Sequence, residues 1–323
     1  MLSQIRRRTA RSWASGVRLG IGDDCALLGV RAGEELAVTT DLSIAGRHFR
    51  LDWHPAEAVG HRTLARGLSD LAAMGARPVA AFLSLGLPGE LTRATGRRAA
   101  WVTRFFDGLL ALADAAKTPL AGGDLAETPI AVADIVLVGA VRRGRALLRS
   151  GARAGDLLYV TGALGGAAAG LARLAEFAGM GTGTRLPKRL ELVLRPHLYP
   201  QPRIAQGLWL AGHRLATAAL DLSDGLSTDL AHLCEESGGA AVVDAAALPI
   251  APGATMEQAL NGGEDYELLF TARADAKVPR SIGGVRVTRI GRMVKARRGQ
   301  AQVTLVTERG REPLAARGWE HFA

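Results

Sequence analysis

Between residues 36 and 141 the hydrophobic pattern switches repeatedly between the period of a strand and the period of a helix. That order restricts the fold more than any other feature of the chain. Residues 36–40 read as a short strand ending at Asp41. Residues 55–75 read as a helix, because Pro55 suits a first turn, Gly75 suits an end, and Leu64, Leu68 and Leu71 share one face. A strand follows at 79–87, a second long helix at 93–116, and strands at 119–122 and 130–141, the last nearly all apolar. Strands interleaved with two helices in this order predict an α+β sheet with its helices on one face.

The basic stretch Arg142-Arg143-Gly144-Arg145 breaks the pattern and suggests a boundary there, with domains 1–141 and 142–323. The second part opens with a strand at 157–161. Residues 162–166 then lead into an Ala-rich helix, and residues 215–220 lead into Asp221. A helix is expected at 227–237, with further strands at 241–243, 267–271 and 285–290. A flexible loop is expected at 179–183. At 323 residues and 48% hydrophobic, the chain can build two cores.

No apolar run reaches membrane-spanning length, and the basic start, Met1 to Arg8, lacks the apolar stretch of a signal peptide. A cytoplasmic protein without membrane contact is expected. The net charge of +9 comes from basic residues spread along the chain, with no nucleic-acid motif. It suits attraction of anionic substrates rather than nucleic-acid binding. Cys25 and Cys234, far apart and with no CxxC, form neither a disulfide framework nor a zinc site. Both are expected to be buried thiols.

The chemistry points to short acidic patches beside glycine or at strand ends: Gly22-Asp23-Asp24, Thr39-Thr40-Asp41, Ser69-Asp70, Gly122-Gly123-Asp124, Asp221-Leu222-Ser223-Asp224-Gly225 and Gly262-Gly263-Glu264-Asp265. One such patch reads equally as an ordinary turn. Together, if they converge, they would repel one another unless cations neutralised them. Oxygen ligands without a Cys or His cluster favour Mg²⁺ or Ca²⁺, and carboxylate-bound Mg²⁺ usually completes its shell with phosphate oxygens and water. Phosphoryl transfer follows as the reaction class. There is no GxxxxGK[ST] and no protein-kinase HRD or DFG pairing. The run from Gly162 to Gly170 reads either as a phosphate cradle at a helix start or as close helix packing.

These residues carry a resemblance. The segments Gly20-Ile21-Gly22-Asp23-Asp24-Cys25-Ala26-Leu27-Leu28, Thr39-Thr40-Asp41, Ala45-Gly46-Arg47-His48-Phe49 and Leu68-Ser69-Asp70-Leu71-Ala72-Ala73-Met74-Gly75-Ala76 stand in order. They are followed by Gly122-Gly123-Asp124, Arg149-Ser150-Gly151-Ala152, Tyr159-Val160-Thr161-Gly162, Asp221-Leu222-Ser223-Asp224-Gly225-Leu226 and Gly262-Gly263-Glu264-Asp265-Tyr266-Glu267-Leu268. Together they resemble the thiamine-monophosphate kinase family of the aminoimidazole-ribonucleotide synthetase-like superfamily.

The resemblance implies an α+β / α/β two-domain protein. Its ferredoxin-like N-terminal domain, 1–141, binds ATP and Mg²⁺ and forms a homodimer through its strands. A larger α/β C-terminal domain, 142–323, completes the nucleotide and thiamine-phosphate site. The apolar strand 130–141 reads either as a pairing strand or as an internal one. The resemblance also implies ATP-dependent phosphorylation of thiamine monophosphate to thiamine diphosphate by in-line transfer. Several Mg²⁺ ions would lie on Asp24, Thr39, Thr40, Asp41, Asp70, Asp124, Asp221 and Asp224. Gly123, Arg149 and Ser223 would lie along ATP, and His48, Glu264 and Trp319 along the substrate. Trp319 would stack on the cationic thiamine. No residue is implied as general base or nucleophile. Leu125 and Ala126 stand where the family often has hydroxyls, and Ala115 and Ala116 where some relatives have an aromatic.

Overall fold

The computed structural model describes residues 16–21, 25–94, 100–178 and 188–318. Their contacts form two compact units. The first holds the described residues up to Leu71, Ala76–Arg143 and the described residues 175–178. The second holds Ala72–Gly75, Gly144–Leu174 and the described residues from 188 onward.

The first unit begins with a small antiparallel pair, β1 (Val17–Leu19) and β2 (Leu27–Leu28). There follow β3 (Glu34–Ile44), α1 (Ala56–Ala73), β4 (Arg77–Leu87), α2 (Trp101–Ala115), β5 (Leu120–Glu127) and β6 (Val132–Arg142). The sheet order is β3-β6-β4-β5, with β4 and β5 parallel and the other pairs antiparallel. This is the expected helix-backed α+β arrangement. Helix α2 buries Phe105, Phe106, Leu109 and Leu112, the stripe its spacing dictates. The two helices approach through glycine on each side. A Cβ on Gly60 of α1 would collide with the Phe105 carbonyl, and one on Gly108 of α2 with the Glu57 carbonyl. The β1–β2 pair covers part of the sheet, where Val17 packs in one cluster with Val79, Ala80, Ala121 and Ala140.

Several elements differ in extent from the sequence reading, two of them with a clear physical reason. β3 runs eleven residues, past Asp41 to Ile44, because its pairing with β6 continues through Ile44↔Val132. Ladder pairing here overrides the low strand propensity of Asp41. Helix α2 does not begin at 93: Arg93 is extended, with φ −103° and ψ 141°, after a 3-10 turn at Gly89–Thr92.

The second unit holds β7 (Leu157–Thr161), α3 (Gly166–Ala178), α4 (Lys188–Leu198), α5 (Ile204–His213), β8 (Ala218–Asp221), α6 (Leu226–Glu236) and β9 (Gly239–Asp244). It continues with α7 (Met256–Asn261), β10 (Leu268–Ala272), β11 (Ser281–Ile282), β12 (Val285–Lys295), β13 (Val303–Thr307) and β14 (Gly310–Pro313). The strands order as β14-β13-β9-β12-β7-β10-β8, with β11 on β12. Side chains alternate across each strand, so the sheet has two apolar faces. Leu158, Val160, Leu220 and Leu269 pack with Leu226, Leu230 and Leu233 of α6. Tyr159, Ala219, Leu268 and Phe270 pack with Leu210 and Ala211 of α5.

Cys234 is buried among apolar side chains, which pushes its thiol up to about 12. Cys25 is exposed, which corrects the expectation of two buried thiols. It lies on the short link just before β2, where no core layer covers it. Among the described residues no helix is long and apolar enough to cross a membrane. The expected loop at 179–183 lies outside the described residues.

Candidate active site

In the first unit, β3 and α1 bring acid and base together through matched periodicities. Thr39, Asp41 and Ser43 lie on one face of β3, two residues apart. Asp70, Arg66 and Arg62 lie along one face of α1, four residues apart. The Thr39 hydroxyl donates to Asp70 Oδ2 in a short bond. Arg66 Nη1 lies 3.3 Å from Asp41 Oδ1 and donates to Ser43 Oγ at 2.9 Å. Arg62 Nη2 donates to the His48 carbonyl at 3.2 Å. The Ile44 N–H donates to His48 Nδ1 at 3.0 Å, which places the ring proton on Nε2 and makes that nitrogen a donor.

The expected metal ligands of this unit do not share one side of the sheet. Thr40 faces away from Thr39, and its hydroxyl donates to Asp134 Oδ1 at 2.9 Å. Register places Leu42, Asp134, Ser84 and Asp124 in one row across four strands, on the face of Thr40. Thr39, Asp41 and Asp70 therefore form a group on the helix side, and Thr40 and Asp124 belong to the opposite side. Nor do Thr39 and Thr40 lie at a strand end, since β3 continues to Ile44. Asp124 Oδ1 accepts its neighbour's N–H, from Leu125, at 2.8 Å. Gly123 beside it has φ +146°, and a Cβ there would collide with the Leu83 carbonyl, so only glycine lets β5 pass so close to β4.

In the second unit β8 ends at Asp221, the turn after it carries Ser223 and Asp224, and one side chain organises that turn. Asp229 Oδ2 accepts the N–H groups of Ser223 at 3.1 Å, Asp224 at 3.1 Å and Gly225 at 3.0 Å. Burial first, then repulsion from Asp221 and Asp224, pushes the Asp229 carboxyl well above the usual carboxylate range. Three carboxylates thus crowd a single turn.

The segment 264–267 is stitched to the same turn: the Glu264 N–H bonds the Ser223 carbonyl at 2.8 Å, and Tyr266 N–H bonds that of Leu222 at 2.9 Å. Its acids have separate tasks. Asp265 accepts from Gly165 N–H at 2.5 Å and Ala167 N–H at 3.0 Å, at the start of α3. Burial raises its carboxyl to about 7 despite those bonds. Glu267 accepts from Arg203 Nε and Nη2 and from the Thr161 hydroxyl, the last at 2.6 Å. Glu264 faces His197. The start of α3 is thus already occupied by a carboxylate. That decides between the two readings of the Gly162 to Gly170 run: its amides hold Asp265, and its glycines permit contact. A Cβ on Gly162 would collide with Glu267.

Arg149 is exposed, and its carbonyl accepts from Ser237 Oγ at 2.9 Å. Asp24 and Trp319 lie outside the described residues. Among the described residues no three His, Cys, Asp or Glu side chains gather as a ready-made metal cage. The expected ligands that are described, Thr39, Thr40, Asp41, Asp70, Asp124, Asp221 and Asp224, nonetheless all offer oxygen, and Asp221 and Asp224 stand close enough to Asp229 to raise its pKa. Both suit a hard divalent cation better than a soft one.

Arg66, Asp134 and Asp229 escaped the sequence reading. Arg66 stands four residues before Asp70, and Asp134 is the one acid in an apolar strand; both signals were available.

Residues 22–146 match the AIR synthase related protein N-terminal domain, and residues 153–304 match the corresponding C-terminal domain. The thiamine-monophosphate kinase of Escherichia coli K12 is 40% identical, over 97% of this chain and 94% of its own length. The crystal structure of the thiamine-monophosphate kinase from Stenotrophomonas maltophilia K279a superimposes with a TM-score of 0.78 at 38% identity, over 94% of each chain. A further structure, AaThiL complexed with AMPPCP and TMP, gives a TM-score of 0.77 at 30% identity, covering 99% of this chain and 96% of that one.

Proposed function

This chain belongs to the AIR synthase-related family and, within it, to the thiamine-monophosphate kinases, and we propose that it drives its reaction with Mg²⁺ held by the acidic residues described above. It phosphorylates thiamine monophosphate with ATP, giving thiamine diphosphate. The observation that carries this is 40% identity to the Escherichia coli enzyme over 97% of the chain.

Asp24, Thr39, Thr40, Asp41, Asp70 and Asp124 of the N-terminal part, 1–141, would hold Mg²⁺, as would Asp221 and Asp224 of the C-terminal part, 142–323. Support comes from the all-oxygen donor set and from the close grouping of Asp221 and Asp224 around Asp229. Bound Mg²⁺ would neutralise phosphate oxygens and stabilise the charge that moves in the transition state. The chain itself supplies placement. Gly123 lets backbone approach ATP without a side chain, and Arg149 offers an exposed guanidinium suited to phosphate. Ser223 sits on the turn that Asp229 holds. His48 can donate from Nε2, and Glu264 and Trp319 complete the substrate contacts. The acceptor, a phosphate monoester with a second pKa near ~6, is already ionised at neutral pH. An in-line transfer therefore needs no general base.

We place the enzyme in the cytoplasm as a homodimer. β3 is an edge strand whose outward face exposes Leu36 (55%), Val38 (64%) and Leu42 (46%), an apolar row that a second copy would cover. β6, the strand that sequence allowed as a pairing strand, lies inside the sheet between β3 and β4.

The test is incubation of the purified protein with ATP, Mg²⁺ and thiamine monophosphate, with free thiamine as a control acceptor, followed by chromatography. Thiamine diphosphate from the monophosphate alone is expected. ADP release without it would overturn the assignment.

A further inference from the structure

His197 stands in the last turn of α4 with its side chain 1% exposed, and its Nδ1 lies 3.5 Å from Glu264 Oε2. Gly170 of α3 leaves the space for the ring: a Cβ there would come within 2.9 Å of His197 Cβ. Glu264 keeps 23% exposure, so its carboxylate reaches both the buried imidazole and solvent. Its backbone is unusual for a side chain of its size. φ is +67°, a left-handed conformation that a non-glycine residue adopts only when its surroundings over-determine it. The surroundings here are specific. Glu264 N–H is bonded to the Ser223 carbonyl at 2.8 Å, and a Cβ on preceding Gly263 would stand 2.5 Å from that same oxygen. The neighbouring acids are committed elsewhere, Asp265 to the start of α3 and Glu267 to Arg203 and Thr161. Glu264 alone among them is turned toward an imidazole.

We propose that His197 is a positioning residue that orients Glu264 for thiamine monophosphate, governing substrate recognition without touching the substrate. The proposal rests on the assignment of Glu264 to substrate binding. A glutamate side chain loses rotamer freedom when it grips a ligand. A rigid, buried partner holds that freedom down beforehand. An Nδ1–H facing one carboxylate oxygen across 3.5 Å would leave the other to accept from the substrate. α4 thereby acquires a functional role through its last turn.

Two polar replacements separate this from simple packing. In His197→Asn the amide nitrogen falls near the place of Nδ1, whereas in His197→Gln the longer side chain carries it toward the place of Nε2. His197→Asn should keep the KM for thiamine monophosphate within about threefold of the wild type. His197→Gln should raise it about tenfold, with kcat at saturating substrate and the KM for ATP nearly unchanged. In a Glu264→Gln background the two replacements should no longer differ. Equal KM values for the two His197 variants, or matched losses in kcat and in the KM for ATP, would overturn the proposal. Glu264→Ala checks the premise separately. An unchanged KM for thiamine monophosphate there removes Glu264 from the substrate site. A raised value alongside indifferent His197 variants refutes the positioning role alone.

Discussion

Asp229 Oδ2 holds the backbone N–H of Asp224 at 3.1 Å, and the same oxygen holds the N–H groups on either side of it. The turn that presents Asp221 and Asp224 is therefore shaped by a residue outside the turn. Asp229→Ala would strand three N–H groups in a largely buried place, at a cost on the order of 3 kcal/mol. It should also raise the Mg²⁺ concentration needed for half-maximal activity, since the ligand pair loses its frame. Asp229→Asn keeps an accepting oxygen and removes a charge that burial and two carboxylates already oppose. Its stability should stay near that of the wild type. Urea unfolding and Mg²⁺ titration of the two variants check this.

Asp41 makes a different case, because its partner is a base. Arg66 Nη1 lies 3.3 Å away and is also bonded to Ser43. Asp41→Asn keeps the shape and leaves Arg66 with Ser43, so the fold should persist, as circular dichroism would show. Turnover should fall by about 10²-fold or more, the scale of losing a charge placed for the transition state. Full activity at limiting Mg²⁺ would remove Asp41 from the metal site.

These two residues also mark what could be read from sequence. Asp41 and Asp70 announce themselves beside Thr40 and Ser69 in short acidic patches. Asp229 does not, since an aspartate in the first turn of a helix reads as dipole compensation. Its role appears only when the chain folds back over Ser223 to Gly225. The same holds for the fold. α1 was legible because Leu64, Leu68 and Leu71 repeat with the helix period and Pro55 and Gly75 bracket them. The full length of β3 was not legible, because pairing with β6 carries it through Asp41. Nor were β13 and β14, whose short polar-flanked runs have no periodicity long enough to read. Thr39 and Thr40 show the limit most plainly: adjacent in sequence, they face opposite sides of one sheet.

The crossing of α1 and α2 depends on the absence of two methyl groups. Gly108→Ala would drive a Cβ into the Glu57 carbonyl, a backbone atom that cannot swing aside. The cost should exceed about 3 kcal/mol, the upper end for overpacking. Gly212→Ala is the control. Gly212 lies near the end of α5, is exposed, and a Cβ there meets nothing within 4 Å. Helix propensity alone should make that variant more stable by up to about 1 kcal/mol. Thermal unfolding of the pair decides whether glycine at 108 is a packing requirement.

If the apolar row on β3 pairs two copies, charge there should separate them. Val38→Lys places an ammonium on the most exposed of the three side chains, Leu36, Val38 and Leu42. Light scattering should show a dimer for the wild type and a monomer for the variant at micromolar concentration. A monomeric wild type would remove the homodimer altogether.

Asp265 links the fold to pH. Its folded-state pKa is raised to about 7 from the ordinary 3.8, with burial as the largest cause. A raised pKa means that the folded protein binds this proton more tightly than the unfolded chain does. The stability it confers is fully present below the unfolded value and is lost as pH rises through about 7. At 1.36 kcal/mol per unit the loss is at most on the order of 4 kcal/mol. The N–H groups of Gly165 and Ala167 still donate to the carboxylate once it is charged, so the start of α3 should loosen rather than unfold. Asp265→Asn cannot titrate. Its stability relative to the wild type should therefore climb from pH 5 upward, most steeply below about 6, and level off above about 7. Urea unfolding of both proteins across that range provides the measurement. Parallel curves would mean that Asp265 is ionised throughout and that the helix start, rather than the buried surroundings, sets its charge.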